Sequence, residues 1–165
     1  MKKFNEKKVV IFLIIILIVL ISIIFALSTI FGGAKMVANN YAKGMSNFDS
    51  KTIADLYIEE MILESYESKN AMIEEFDTLF QGMKDSYFQI LKYDVDKNYK
   101  QYEGKELEYQ KDVLVDYYKI DENEIKEIRR YSVVFYCSDD GENKEVETKL
   151  NIANIGNKWY LISTE

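Results

Sequence analysis

The chain has 165 residues, with 21 basic and 28 acidic side chains, one cysteine, no histidine and no proline. A single cysteine excludes an internal disulfide, and the lack of histidine removes the commonest general base and the commonest metal ligand. The length suits one globular domain beside a membrane segment.

A long apolar run near the N-terminus predicts a transmembrane helix. Residues 9–31 carry no charge, and 19 of these 23 residues are Val, Ile, Leu or Phe. As a helix they would extend about 34 Å, more than the ~30 Å hydrocarbon core of a bilayer. A cleaved signal peptide is the alternative, but the apolar region of such peptides is only about 7–15 residues long, shorter than the run in this chain. We therefore expect an uncleaved anchor.

Charges on the two sides of this segment predict its orientation. Residues 1–8 hold four lysines and one glutamate, whereas the lysines after the span are spread along the chain. The positive-inside rule then predicts a single-pass protein of the cell membrane, with a cytoplasmic tail at 1–8, a linker at 32–35 and an extracytoplasmic domain at 36–165. Without the tail, 17 basic and 27 acidic residues remain, a net charge of −10 that disfavours nucleic acid and anionic lipid as partners.

Helical spacing of apolar residues predicts three helices at the start of the outer domain. Their stripes are Val37, Tyr41, Met45 and Phe48, then Ile53, Leu56, Tyr57 and Met61, and finally Met72, Phe76, Leu79, Phe80 and Met83. Asp49-Ser50 offers an N-cap to the second helix, and Gly82 predicts the end of the third.

Alternating patterns predict strands in the second half of the domain. The segment 89–95 places Leu91, Tyr93 and Val95 on one side of a half-buried strand. A less regular segment at 103–119 favours a helix.

The last forty residues predict a three-stranded antiparallel meander. Strands at 130–137 and 146–152 are joined by Asp139-Asp140-Gly141, where glycine supplies the positive φ of a tight hairpin. Gly156-Asn157 forms the second turn before a last strand at 158–162. Helices followed by strands predict an α+β fold, with the helices packed on one face of a curved antiparallel sheet.

The order of elements and the motif Gly156-Asn157-Lys158-Trp159-Tyr160-Leu161-Ile162 resemble the nuclear-transport-factor-2-like (cystatin-like) α+β cone. The resemblance covers residues 36–164 and points to the membrane- or lipid-anchored extracytoplasmic members of Gram-positive bacteria. It implies a cone-like domain. Relatives on this fold include isomerases, dehydratases, ligand-binding modules and bitopic subunits of secretion and conjugation machines, so the fold alone does not name a function.

The triplet Asp94-x-Asp96-x-Asn98 begins like a calcium loop. Such a loop needs Gly at its sixth position and Glu at its twelfth, where this chain has Tyr99 and Lys105. We therefore predict a solvated strand end and assign no metal ligand.

Two features of the last hairpin have simple interpretations. The cluster of Asp139, Asp140 and Glu142 is typical of a hairpin turn, with a weak divalent-ion site as the alternative. Cys137 lies on the apolar side of its strand and is expected to be a buried, inert thiol.

Carboxylates on the second helix provide the one candidate for catalysis. Glu60 and Glu64, with Glu59 nearby, could face a cavity together with Tyr57, since positions four apart share a helix face. Enzymes of the resembled class pair an Asp or Glu with His or Tyr. This chain has no histidine, and exposed glutamates are common on amphipathic helices, so we assign no catalytic residue.

The chain is rich in aromatic residues, with 13 tyrosines and nine phenylalanines. Tyr41, Tyr57, Tyr93, Tyr131 and Trp159 accompany the apolar stripes, and we expect them to form the core with their hydroxyls at its rim. The alternative is a pocket of a few hundred Å³ between helices and sheet, for a small apolar or peptidic ligand.

These features predict a membrane-tethered extracytoplasmic binding or assembly module without catalytic activity, cofactor or metal. Its partners would be the membrane and proteins of the cell envelope. Two alternatives stay open. One is a bitopic subunit of a secretion or conjugation complex, and the other is a cone-cavity isomerase or lyase that uses an acidic residue and a tyrosine.

Overall fold

The computed structural model describes residues 16–17 and 33–165. The predicted tail at 1–8 and transmembrane helix at 9–31 lie outside these residues, apart from Ile16 and Leu17. Within the described part of the chain, no helix combines the length and the apolar character that crossing a membrane requires.

From Ala34 to the C-terminus, four helices precede the first strand of a five-stranded antiparallel sheet, and a fifth helix lies between its second and third strands. In chain order the elements are α1 (Ala34–Asn47), α2 (Ser50–Ala54), α3 (Glu59–Tyr66), α4 (Lys69–Asp85), β1 (Gln89–Val95), β2 (Lys100–Gln101), α5 (Gly104–Asp116), a 3₁₀ turn (Glu122–Glu124), β3 (Ile125–Asp139), β4 (Glu142–Ile155) and β5 (Lys158–Thr164). The predicted α+β class is confirmed, as is a helix within 103–119.

The sheet is open and has the order β1-β3-β4-β5, with β2 pairing beside the first half of β3. Two-residue loops join the last three strands, which form the predicted antiparallel meander. In the first loop Asp140 and Gly141 have φ of 49° and 83°, and in the second Gly156 and Asn157 have φ of 57° and 70°. Two successive positive φ values match the right-handed twist of the flanking strands, which explains the residue types at both turns.

Strand β3 contributes side chains to hydrophobic cores on both faces of the sheet. One core contains buried residues of β3 to β5, α1, α2 and α4, among them Tyr131, Val133, Phe135, Leu150, Leu161, Val37, Ala38, Ile53 and Phe80. The other contains Ile128, Ala153, Ile155, Ile162, Tyr102, Leu114, Ile120 and Met61. Leu114 belongs to α5 and Met61 to α3, so the prediction that the helices pack on one face of the sheet is wrong for α5, and α3 also contributes to this second core.

The predicted second helix is interrupted. Asp49 caps α2 through its carboxylate, which accepts a hydrogen bond from the Thr52 amide at 3.1 Å, as predicted. The helix nevertheless ends at Ala54, and α3 begins only at Glu59. Between them the Leu56 carbonyl accepts a hydrogen bond of 2.8 Å from the Leu161 amide of β5. The edge strand β5 is thus hydrogen-bonded to a carbonyl that a continuous helix would use for its own i to i+4 hydrogen bond.

Two smaller predictions are also wrong. Gly82 does not end its helix, because α4 continues to Asp85 and the Gly82 carbonyl accepts from Ser86. Leu91 is not on the buried side of β1, since an irregularity in the pairing with β3 between Ile90 and Lys92 shifts the alternation. Leu91 is 58% exposed as a result.

The same substitution at two helical glycines should have opposite effects. A Cβ at Gly44 of α1 would lie 2.7 Å from Cδ1 of the fully buried Ile53, whereas a Cβ at Gly82 would have, among the described residues, no atom within 4 Å beyond its chain neighbours and the backbone of its own helix. We expect Gly44→Ala to lower the free energy of unfolding by about 1–3 kcal/mol through overpacking. Gly82→Ala should raise it by about 0.5–1 kcal/mol through helix propensity.

Urea unfolding of the full chain in neutral detergent, followed by Trp159 fluorescence, measures both changes. The wild type and Gly82→Ala are the controls. A Gly44→Ala protein as stable as Gly82→Ala would contradict the tight packing of α1 on α2.

Candidate functional site

The interruption between α2 and α3 places Tyr57 at the centre of the helical layer. Because the Leu56 carbonyl is bonded to β5, the next side chain turns inward and is half-buried. Tyr57 packs against both large cores and against a third cluster formed by Ala54, Ile62 and Met72. It is therefore the residue that joins the three apolar clusters.

A cavity of about 210 Å³ lies beside Tyr57, between α3 and the end of the edge strand β5. It is lined by Tyr57, Met61, Ile62, Ser65, Tyr66, Met72, Tyr118, Ile162, Ser163 and Thr164. Methionine and isoleucine side chains form the apolar part of its wall, and tyrosine, serine and threonine supply hydroxyl groups. Ligand sites are usually larger, about 300–1,000 Å³, and mostly apolar. This cavity is smaller, and polar and apolar groups contribute about equally to its surface.

Burial raises the pKa of two tyrosines of this cavity, Tyr57 and Tyr66. Burial is the main cause that raises the pKa of Tyr57 above its ordinary value of 10.0, and the nearby hydroxyls of Tyr41, Tyr66 and Tyr118 raise it further. The pKa of Tyr66 is also raised, first by burial and then by Glu75. At neutral pH these groups are therefore hydrogen-bond donors and acceptors, and not bases.

The carboxylates that the sequence offered for catalysis lie elsewhere. Glu59, Glu60 and Glu64 are exposed on α3 and do not line the cavity beside Tyr57. The structure therefore does not bring a carboxylate of this helix together with Tyr57. The cavity supplies hydroxyl groups and apolar surface, an arrangement suited to holding a small amphipathic group.

A buried polar network supports the β5 side of the cavity. Asn151, which is 1% exposed, accepts hydrogen bonds from the Tyr102 hydroxyl at 2.7 Å and from Arg130 Nε at 3.0 Å. Its Nδ2 donates to Ser163 Oγ at 2.8 Å and to a carboxylate oxygen of Glu165 at 3.0 Å. Since Ser163 lines the cavity, this network fixes one wall of it.

A second, more open cleft of about 350 Å³ lies between α1, α2 and Trp159. Its polar groups are largely paired within the protein. Asp49 accepts from Thr52 Oγ1 at 2.7 Å, which with the amide bond lowers the pKa of its carboxyl, and Asp55 forms an ion pair with Lys69. The Trp159 ring lies 4.7 Å from the Arg129 guanidinium. The tyrosine-lined cavity is the stronger candidate, because fewer of its polar groups are already engaged.

The acidic motifs occupy turns. The Asp96 carboxylate accepts a hydrogen bond from the Asn98 amide at 2.9 Å, which closes the end of β1. Asp139 pairs with Lys144 at 3.0 Å beside the hairpin tip, and Glu142 lies 4.0 Å from the same lysine. Across residues 16–17 and 33–165, no three side chains of the metal-ligating types are grouped as a metal site would require.

Cys137 is buried in the first core, as predicted. Burial, and secondarily Asp139, raises the pKa of its thiol, so the thiolate form is disfavoured at neutral pH.

The sequence places Tyr57 on the apolar face of a predicted helix, but it does not indicate most of the residues that line the cavity beside it. Ile62 and Tyr66 are four positions apart and therefore share a face of α3, which is the local signal that could have identified them. Ser163 and Thr164 follow the last predicted strand, and nothing local distinguishes them. The proximity of β5 to α3 is a tertiary contact.

Comparison with known proteins identifies no relative. A scan against protein-family models, a search of curated proteins and a search of solved structures each return no match to this chain.

Alkaline pH should destabilise the protein through Tyr57. Because the pKa of Tyr57 is higher in the folded chain, its stabilising contribution is complete below pH 10 and is lost as pH rises above 10 toward the folded value. The unfolded chain then binds fewer protons than the folded one, so the free energy of unfolding falls with pH. In Tyr57→Phe the free energy of unfolding should fall less steeply with pH, and the change in slope should correspond to at most one bound proton.

Urea unfolding between pH 8 and pH 11.5 tests this expectation. The double variant Tyr57→Phe/Tyr41→Phe should be flatter still, since burial also raises the pKa of Tyr41. Equal slopes for the wild type and Tyr57→Phe would show that the Tyr57 hydroxyl is not desolvated in the folded protein.

Proposed function

We propose that this chain is a membrane-tethered, extracytoplasmic binding module without catalytic activity. In this proposal residues 9–31 are the uncleaved anchor, residues 1–8 lie in the cytoplasm, and the domain from residue 36 onward faces the outside of the cell. The resemblance to the nuclear-transport-factor-2-like cone is compatible with this function, since ligand-binding modules occur on that fold beside enzymes and bitopic subunits. Tethering would raise the local concentration of the domain near other envelope components.

The observation that carries the proposal is the tyrosine-lined cavity between α3 and β5. Its volume of about 210 Å³ suits one small ring, because an engineered apolar cavity of roughly 150 Å³ binds benzene. The hydroxyls of Tyr57 and Tyr66 can orient such a group by hydrogen bonds. A small molecule, or one side chain of a peptide, is therefore the class of ligand that we propose.

Three observations favour binding over catalysis at this site. The raised pKa values of Tyr57 and Tyr66 make these hydroxyls poor bases at neutral pH. The glutamates of α3 are exposed outside the cavity. The chain also has no histidine.

The proposed topology can be tested by cysteine labelling. The only native thiol, Cys137, is buried, so the wild type provides an unlabelled background. A membrane-impermeant maleimide applied to intact cells should label Lys97→Cys, in the exposed loop after β1, and should leave Lys3→Cys unlabelled. Permeabilised cells should show both labels. Labelling of Lys3→Cys in intact cells would reverse the proposed orientation.

The cavity can be tested by blocking it from the edge. Ser65 lines the cavity on the exposed side of α3, whereas the neighbouring Glu64 does not line it. Millimolar phenol, used as the probe, should raise the melting temperature of the wild type and of Glu64→Trp by binding the folded state. Ser65→Trp should lose this shift, because the indole ring fills the site.

Differential scanning fluorimetry of the full chain in neutral detergent gives the three shifts. An equal shift in Ser65→Trp would place phenol elsewhere and remove the cavity as the binding site.

A further inference from the structure

Strand β4 has an unpaired edge along half of its length. Its residues Leu150–Ile155 pair with β5, and the Lys149 backbone exchanges hydrogen bonds of 2.8 and 2.9 Å with Glu165. From Glu142 to Thr148, β4 pairs with β3 on one side, and no described strand pairs with it on the other. Alternate backbone amides and carbonyls of this segment point outward, as at any sheet edge. Seven residues are enough for one strand of ordinary length.

The two faces of this edge differ in chemistry. On the face that carries the first core, the cross-strand row Tyr93, Phe135 and Val146 runs from β1 to β4 and stops at the edge. Val146 is 45% exposed there, although its neighbours in the row pack in or against the core. An apolar residue on an added strand would cover it.

Acidic side chains occupy the opposite face of the same edge. Register places Glu145 beside Tyr136, and Glu147 beside Val134. Within the described residues, neither carboxylate lies within 4.0 Å of a lysine or arginine nitrogen. An added strand would bring one of its side chains opposite each glutamate, and opposite charges there are favourable.

We propose that the free edge of β4, Glu142–Thr148, is a docking site for an extended peptide segment that alternates basic and apolar residues. The backbone pairing would provide affinity, and the alternation would provide register. Basic side chains would face Glu145 and Glu147, and apolar ones would face Val146. This site is separate from the tyrosine-lined cavity and does not depend on a ligand there.

A second copy of this chain fits the edge poorly. When two copies pair through this edge about a two-fold axis, odd-numbered residues of one β4 lie opposite odd-numbered residues of the other. A register centred on Glu145 places it opposite Glu145 of the other copy, and a register centred on Val146 places Glu145 opposite Glu147. Like charges directly opposite each other destabilise a strand pair. The same carboxylates that attract a basic segment therefore disfavour self-association.

The experiment uses the full chain in neutral detergent micelles and a dye-labelled nine-residue peptide that alternates lysine and valine. Fluorescence anisotropy should show binding to the wild type. Glu145→Lys/Glu147→Lys should bind this peptide about 10-fold more weakly, the effect expected from two cross-strand charge pairs. The same variant should gain binding of a peptide that alternates glutamate and valine.

Two controls separate strand pairing from charge alone. Glu74→Lys/Glu108→Lys makes the same change in net charge at exposed helical positions and should bind like the wild type. A lysine-valine peptide that is N-methylated at its lysines keeps its charge but should not bind measurably. The lysines lie opposite Glu145 and Glu147, whose backbone groups face outward like those of Lys149, so their amides are the donors that pairing needs.

Several results would overturn the proposal. These are no binding by the wild type, equal binding by Glu145→Lys/Glu147→Lys, and equal binding of the N-methylated peptide. A wild-type dimer that Val146→Lys dissociates would also overturn it, because the occupant would then be a second copy.

Discussion

Strand β3 changes the face on which it is buried. Between Ile125 and Ile128 its buried side chains lie on the α5 side of the sheet, and from Tyr131 to Cys137 they lie on the α1 side. The two ends of this 15-residue strand therefore belong to two different cores. The helices must cover different faces for this reason, since each needs an apolar surface to pack on. Every other strand of the sheet except β5 pairs with β3.

The contact between Leu56 and β5 converts this scaffold into one with a cavity. A continuous helix from Ser50 to Tyr66 would satisfy the Leu56 carbonyl internally and would leave the Leu161 amide of β5 without this acceptor. The Leu161 amide instead bonds to that carbonyl, and the helix restarts at Glu59. The break turns Tyr57 inward and leaves a space between α3 and the last residues of β5. The cavity and the pairing of the Leu161 amide at this sheet edge thus have the same physical origin.

The two ends of the sheet are used differently. At the β5 end, the hydrogen bonds of Asn151 and the packing of α3 border a partly polar cavity, the candidate site for a small group. At the hairpin end, β4 extends past β5 and keeps half of its edge open. Glutamates on that edge oppose pairing between identical chains while permitting a basic partner. A domain held at a membrane by an anchor would benefit from both properties, because tethering concentrates identical chains as well as partners.

The sequence by itself determined the features that depend on near neighbours in the chain. The α+β order, the cap at Asp49, and the hairpins at Asp140-Gly141 and Gly156-Asn157 follow from periodicity, side-chain capping and positive φ, which are local properties. The predicted anchor and its orientation also derive from local hydropathy and charge, and they stay predictions.

Tertiary structure decided the rest. The end of α2 at Ala54, the continuation of α4 past Gly82 and the exposure of Leu91 each depend on a partner strand or a helix context that no short window contains. The candidate cavity shows the same limit. Tyr57 stood out in the sequence, but Tyr118 and Ser163 join it from elements far apart in the chain. Local pattern selects each element, whereas a cavity forms where distant elements meet, and burial and hydrogen bonding across that contact decide its shape.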